Sequence, residues 1–109
     1  MASKPFVIPI SGQAGITVKI TSGDAAASLA TALVSAGIDM AKVCGALLTL
    51  EDYDARLAFG GTTATTAVGH WLSAGQSMKL EDYHWVKTCS YINKTAGQNA
   101  IMQVTVYLK

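Results

Sequence analysis

The chain has 109 residues, half of them hydrophobic and 14% charged, with a net charge of +1. That length suits one domain with its own core and no metal or disulfide staples, while typical soluble domains carry about 25% charged residues. Either the exposed face is therefore built from Thr, Ser, Gly and Ala, or part of it is buried against other subunits.

The basic residues, one Arg and seven Lys, are scattered along the chain, which argues against electrostatic capture of nucleic acid. The apolar tracts are too short and interrupted to span a bilayer. The N-terminal residues lack the sustained apolar core of a signal peptide, so synthesis for the cytoplasm is the default. Cys44 and Cys89 sit in strand-like sequence and are expected as buried thiols rather than a disulfide.

Taken in order, residues 1–5 read as a loose arm and Phe6-Val7-Ile8-Pro9-Ile10 as a short first strand. Pro9 lacks a backbone donor, which places this strand at an edge or across a neighbouring subunit. Residues 1–10 are thus an arm, and 11–109 a single domain. Residues 11–15 read as a turn, and 16–21 as a strand with Ile16, Val18 and Ile20 on one face. From 24 to 36 the pattern suits a short helix, with Asp24 as N-cap and Gly37 as the stop; a long Ala/Ser loop over a sheet is the alternative. Residues 42–50 return to strand, apolar on both faces, as in a central strand of a sandwich.

Ala55, Leu57 and Phe59 supply the inward positions of the next strand. Gly60 and Gly61 read as positive-φ positions at its exit, and the 60–69 loop follows. Trp71-Leu72 and Met78-Leu80 frame a turn at Gly75. Residues 86–92 read as a mixed strand, and 93–99 as a turn. In the last strand Met102, Val104, Val106 and Leu108 face the core, with Gln103, Thr105 and Tyr107 outward. Leu50-Glu51-Asp52-Tyr53 recurs as Leu80-Glu81-Asp82-Tyr83, and both copies read as strand-ending corners. The fold expected is mainly β: an antiparallel sandwich or small barrel, jelly-roll-like, with one short helix in the N-terminal half.

Chemistry is sparse. His70 and His84, each before a Trp, and the two Cys lack the close-spaced ligand pair of a structural zinc site, and read instead as strand-end residues beside aromatic rings. Cys89 with His84 is a formal nucleophile pair, but neither an orienting acid nor an oxyanion hole is marked. Glu51, Asp52, Asp54, Glu81 and Asp82 lack the calcium-loop pattern of an EF-hand and read as solvated corners. The Gly60-Gly61-Thr62-Thr63 stretch lacks the Lys-Ser/Thr ending of a phosphate loop. No catalytic, metal or cofactor residue is assigned. Buried aromatic anchors carry much of the energy of interfaces, so the candidate interface residues are Phe6, Val7 and Ile8 of the arm together with Trp71 and Trp85. Core packing is the competing reading for both tryptophans.

The stretch Arg56-Leu57-Ala58-Phe59-Gly60-Gly61-Thr62-Thr63-Ala64-Thr65, with Gly69-His70-Trp71-Leu72-Ser73-Ala74-Gly75-Gln76-Ser77, resembles small virion proteins of tailed bacteriophages. In those a strand ending in a Gly plus Ser/Thr loop leads to a Gly-x-x-Leu-x-Ala-Gly turn, and the chain closes on a Thr-Ala-Gly loop, here Thr95-Ala96-Gly97, and a final strand. The resemblance implies a non-enzymatic virion subunit, a capsid decoration (cement) protein that binds itself, often as a trimer, and the major capsid or another virion protein. A neck, tail or fibre component is equally implied, and a carbohydrate- or receptor-binding module with the 60–71 loop and its Trp as platform is the alternative from another class.

Overall fold

A computed structural model of the chain describes residues 13–109. The expected first strand, and with it Phe6, Val7 and Ile8, lies outside the described residues. Eight strands are described: β1 Gln13–Thr21, β2 Ala27–Ser28, β3 Val43–Glu51, β4 Ala55–Ala58, β5 His70–Leu72, β6 Ser77–Leu80, β7 Ser90–Asn93 and β8 Ile101–Leu108. They form two four-stranded sheets, ordered β1-β8-β3-β6 and β2-β7-β4-β5, and every ladder is antiparallel. The strands pair as an antiparallel ribbon folded on itself: β1 with β8, β2 with β7, β3 with β6, β4 with β5. Two further ladders, β3 with β8 and β4 with β7, roll that ribbon into a sandwich. This is the connectivity of a jelly roll.

Alternation sets which face is buried. Met102, Val104 and Val106 of β8 and Ala46, Leu48 and Leu50 of β3 are fully buried, and they meet Leu57 and Tyr91 from the other sheet. Each fully buried aliphatic side chain contributes about 1.5–3 kcal/mol. On the outer face of the first sheet the polar positions pair with one another, Thr17 with Thr105 at 2.6 Å and Thr49 with Ser77 at 2.7 Å. Hydroxyl ladders thus cover part of the surface that charges cover in other domains.

Several expectations are corrected. The 24–36 segment divides: β2 comes first, and helix α1 spans only Leu29–Ser35. Its N-cap is Ser28, whose hydroxyl accepts from Thr31 N, while Asp24 does other work. The stop at Gly37 is as expected, with φ +91°. Gly37 N bonds Val34 O and Ile38 N bonds Leu33 O, both at 3.0 Å, a Schellman ending that brings Ile38 into the core. Residues 86–92 are not one strand. A second helix, α2 (Tyr83–Lys87), is capped by the Asp82 carboxylate, and only then does β7 begin. A sequence of five helical residues shows too little periodicity to announce itself, and the fully buried Val86 is its one core anchor.

Gln13–Gly15 belong to β1 rather than to a turn; the register shifts between Ala14 and Thr17. That bulge re-aims Ile16, which is 54% exposed instead of facing the core. Tyr107 is buried rather than outward, and its cross-strand neighbour Gly45 has no side chain to crowd the ring. Cys89 is buried as expected, whereas Cys44 is only half-buried. The two Leu-Glu-Asp-Tyr copies differ: Asp52 sits in a tight corner at φ +72°, and Asp82 starts a helix.

Candidate functional site

The jelly roll has two unlike ends. At one end the connections 22–26, 52–54, 73–76 and 94–100 meet and are tied by polar side chains. Asn93, 1% exposed, donates from Nδ2 to Asp24 Oδ1 (2.8 Å) and to Asn99 Oδ1 (2.6 Å), and its Oδ1 accepts from the Ser22 hydroxyl. Asp24 Oδ1 also accepts from Gly97 N at 2.8 Å. That backbone N–H, and then the Asn93 amide, hold the Asp24 carboxyl below its usual pKa.

Asp54 does the same for the second sheet. Its Oδ1 accepts from Ala74 N and its Oδ2 from Trp71 Nε1, both at 2.8 Å. The Ala74 N–H first, then the indole N–H, depress its pKa, with Lys94 adding a smaller electrostatic pull. Lys94 Nζ lies 4.7 Å from the Trp71 ring centroid, a cation–π contact. Trp71 is therefore held at two points, by Asp54 and by Lys94, while 59% exposed on the outer face of β5. A large aromatic surface fixed in place and left in water is the form an interface anchor takes.

The 60–69 loop folds back over the outer face of its own sheet. Ala64 is buried with Ala58 and Ile92, and Ala64 N donates to Ser90 Oγ at 3.0 Å. Arg56 reaches under the loop, with one guanidinium nitrogen 2.8 Å from Gly69 O and Nε 3.1 Å from Thr66 O. Gly60 and Gly61 hold positive φ, +73° and +88°, as the sequence implies. The loop's Thr65 hydroxyl accepts from Ala67 N and Val68 N, so these donors stabilise the loop itself rather than facing a phosphate.

At the opposite end α1, α2 and the start of the 60–69 loop come together. Here Phe59 and Trp85 meet edge-on, with centroids 5.0 Å apart at 75°, and His70 lies 6.1 Å from Phe59. These rings, with Asp82, His84 and Thr88, line a hollow of about 620 Å³. Trp85 is 46% exposed at its rim. His84 lies in helix α2 rather than at a strand end; His70 does open β5. Both tryptophans are thus surface residues, at opposite ends, and nothing in the spacing of Phe59, His70 and Trp85 along the chain announces that they meet. Asp82, a residue type favoured as an N-cap and here accepting from Trp85 N, is the signal that could have found the turn.

Cys89 is buried beneath the second sheet, and desolvation pushes its thiol up to about 12. Tyr91 beside it is raised by the same burial, with a smaller effect from Cys89. A thiol held protonated is not poised for nucleophilic attack, so Cys89 and His84 do not combine as an activated pair. Among the described residues no group of three or more His, Cys, Asp or Glu side chains gathers in a way that could hold a metal ion. No helix among them is long and apolar enough to cross a membrane. Comparisons with protein-family models, curated proteins and solved structures return no match for this chain.

Proposed function

We propose that this chain is a non-enzymatic structural subunit of a phage virion, a decoration protein that binds copies of itself, a trimer being favoured, and the capsid shell. The observation that carries the reading is Trp71: more than half exposed, yet pinned by Asp54 and by Lys94. Binding through a preformed aromatic anchor avoids most of the ordering cost of association. The low charge content and the hydroxyl-covered outer sheet suit a surface that packs against other protein. Jelly rolls recur in viral capsid proteins, an analogy of fold that supports the reading by association only.

Co-sedimentation with phage heads lacking decoration tests it. The wild type is expected to sediment with the heads and raise their heat resistance, and Trp71→Ala to lose most of that binding while keeping its fold. Failure of the wild type to bind heads, tails or itself would overturn the reading.

A second reading has one observation behind it. Jelly rolls also serve as lectins, and Trp71 flanked by Asp54 and Lys94 has the aromatic-plus-polar make-up of a sugar platform. Lys94 lies over the ring, however, which leaves less of it for stacking. Quenching of Trp emission by glycans, with no binding to heads, would favour this alternative.

A further inference from the structure

The hollow at the helical end is about 620 Å³, within the range of roughly 300–1,000 Å³ of sites that hold a ligand. Phe59 from β4's exit, His70 from β5 and Trp85 from α2 wall it, so its aromatic surface is set by three different elements. The sequence outside the described residues contains one uncharged apolar run, Phe6-Val7-Ile8-Pro9-Ile10.

The register fixes where that run leaves the domain. Gln13 pairs with Leu108, Leu108 with Val43, and Ala46 with Leu80. The chain therefore enters β1 at the same end of the sandwich as the hollow. It does so on the opposite flank, because β1 and β6 are the outermost strands of their sheet among the described residues. Three inter-strand spacings separate them, about 14 Å. Between the two flanks lie the end of β8 and the 3-10 turn Met40–Lys42 that leads into β3, tied together where Lys109 N bonds Lys42 O at 2.9 Å. Seven residues back from Gln13 to Phe6 reach roughly 23 Å when extended, enough to leave the domain for an adjacent one. A donor segment on one flank and an acceptor hollow on the other make a heterologous contact, which closes into a ring when the rotation allows.

We propose that residues 6–10 of one copy occupy the Phe59–Trp85 hollow of a second copy, joining the chains head to tail. The segment is uncharged and matches the aromatic walls, and Pro9 limits its ability to add as a ladder strand, so its side chains carry the contact. This deepens the self-association half of the function proposed above and rests on it.

The test uses two full-length variants. Phe6→Ser/Ile8→Asp spoils the segment and leaves the hollow intact; Trp85→Arg fills the hollow and leaves the segment intact. By light scattering the wild type is expected as a closed oligomer and each variant alone as a monomer with unchanged circular dichroism. Mixed one to one, the variants should give a heterodimer, since each pair retains one good segment and one good hollow. Should Trp85→Arg fail to fold, His70→Glu on the facing wall replaces it. An oligomer that survives the Phe6→Ser/Ile8→Asp change overturns this contact and leaves the decoration reading standing. Variants that stay monomeric when mixed overturn it as well, as does a monomeric wild type. A wild type that neither self-associates nor binds heads removes the proposed function with it.

Discussion

Asn93→Ala probes the polar knot that ties two loops across the end of the jelly roll. The amide accepts from the Ser22 hydroxyl and donates to Asp24 and Asn99. Asp24 and Asn99 are exposed, so water replaces the lost amide there, and each bond is worth about 0.5–1.5 kcal/mol net. Ser22 is only 3% exposed, and a hydroxyl left there without an acceptor costs about 1–3 kcal/mol. Together these give a loss of about 3 kcal/mol, a large share of the 5–15 kcal/mol, roughly, that holds such a domain. At about 4–8 °C per kcal/mol, the melting midpoint falls by roughly 15 °C. Thermal and urea unfolding followed by circular dichroism measure it. Asn99→Ala, which removes one half-buried bond and leaves Asn93 its other two partners, should cost less than Asn93→Ala. A double-mutant cycle with Ser22→Ala should show a coupling of about 0.5–3 kcal/mol. An Asn93→Ala loss under about 1 kcal/mol would mean that Ser22 finds another partner, and would refute the reasoning.

Gly69 holds φ +133°, and a Cβ there would stand 3.1 Å from Arg56 Cβ and 3.2 Å from Leu57 O. Gly69→Ala should destabilise by about 1–3 kcal/mol, whereas Gly23→Ala, with open space around it, should change stability by less than about 1 kcal/mol; equal effects on urea midpoints would count against this. The Cys89 thiol, raised from 9.0 to about 12 by burial, should resist alkylation at pH 8 in the native protein and react once urea unfolds it. Because its folded pKa is the higher one, the linked stability is complete below 9 and is lost as pH rises toward 12. Rapid native labelling of Cys89 would contradict its burial. Asp24 and Asp54 have folded pKa values lowered from 3.8, so their stabilisation is present above that pH and is lost as pH falls through the depressed values. Melting midpoints between neutral and acid pH should therefore fall less steeply in Asp54→Asn than in the wild type, and parallel curves would show that the Ala74 and Trp71 bonds contribute nothing.

The sequence by itself settled the elements whose signal is local and repeated. Alternation over eight residues marks β8, because a side-chain period of two separates core from surface without reference to any partner, and a nine-residue run apolar on both faces marks β3 as a central strand. Gly37 ended α1 where a positive φ was needed, and Gly60 and Gly61 turned the chain after β4, since only glycine adopts those angles at little cost. The low charge content likewise told that the surface would be unusual. Only the tertiary structure decided which strands are neighbours: β1 beside β8 and β2 beside β7 join residues 62 to 95 positions apart, and alternation carries no information about a partner that distant. The fates of isolated polar and aromatic residues were equally non-local. Asp24 has the right chemistry for a helix cap, yet Asn93 and Gly97, brought over by β7 and its turn, offer it donors first. Trp71 and Trp85 are both exposed, and Asp54 and Phe59, from connections on either side of β4, hold each ring at the surface. A single aromatic residue can as well fill a core as stand on a surface, and the packing of the rest of the chain determines which.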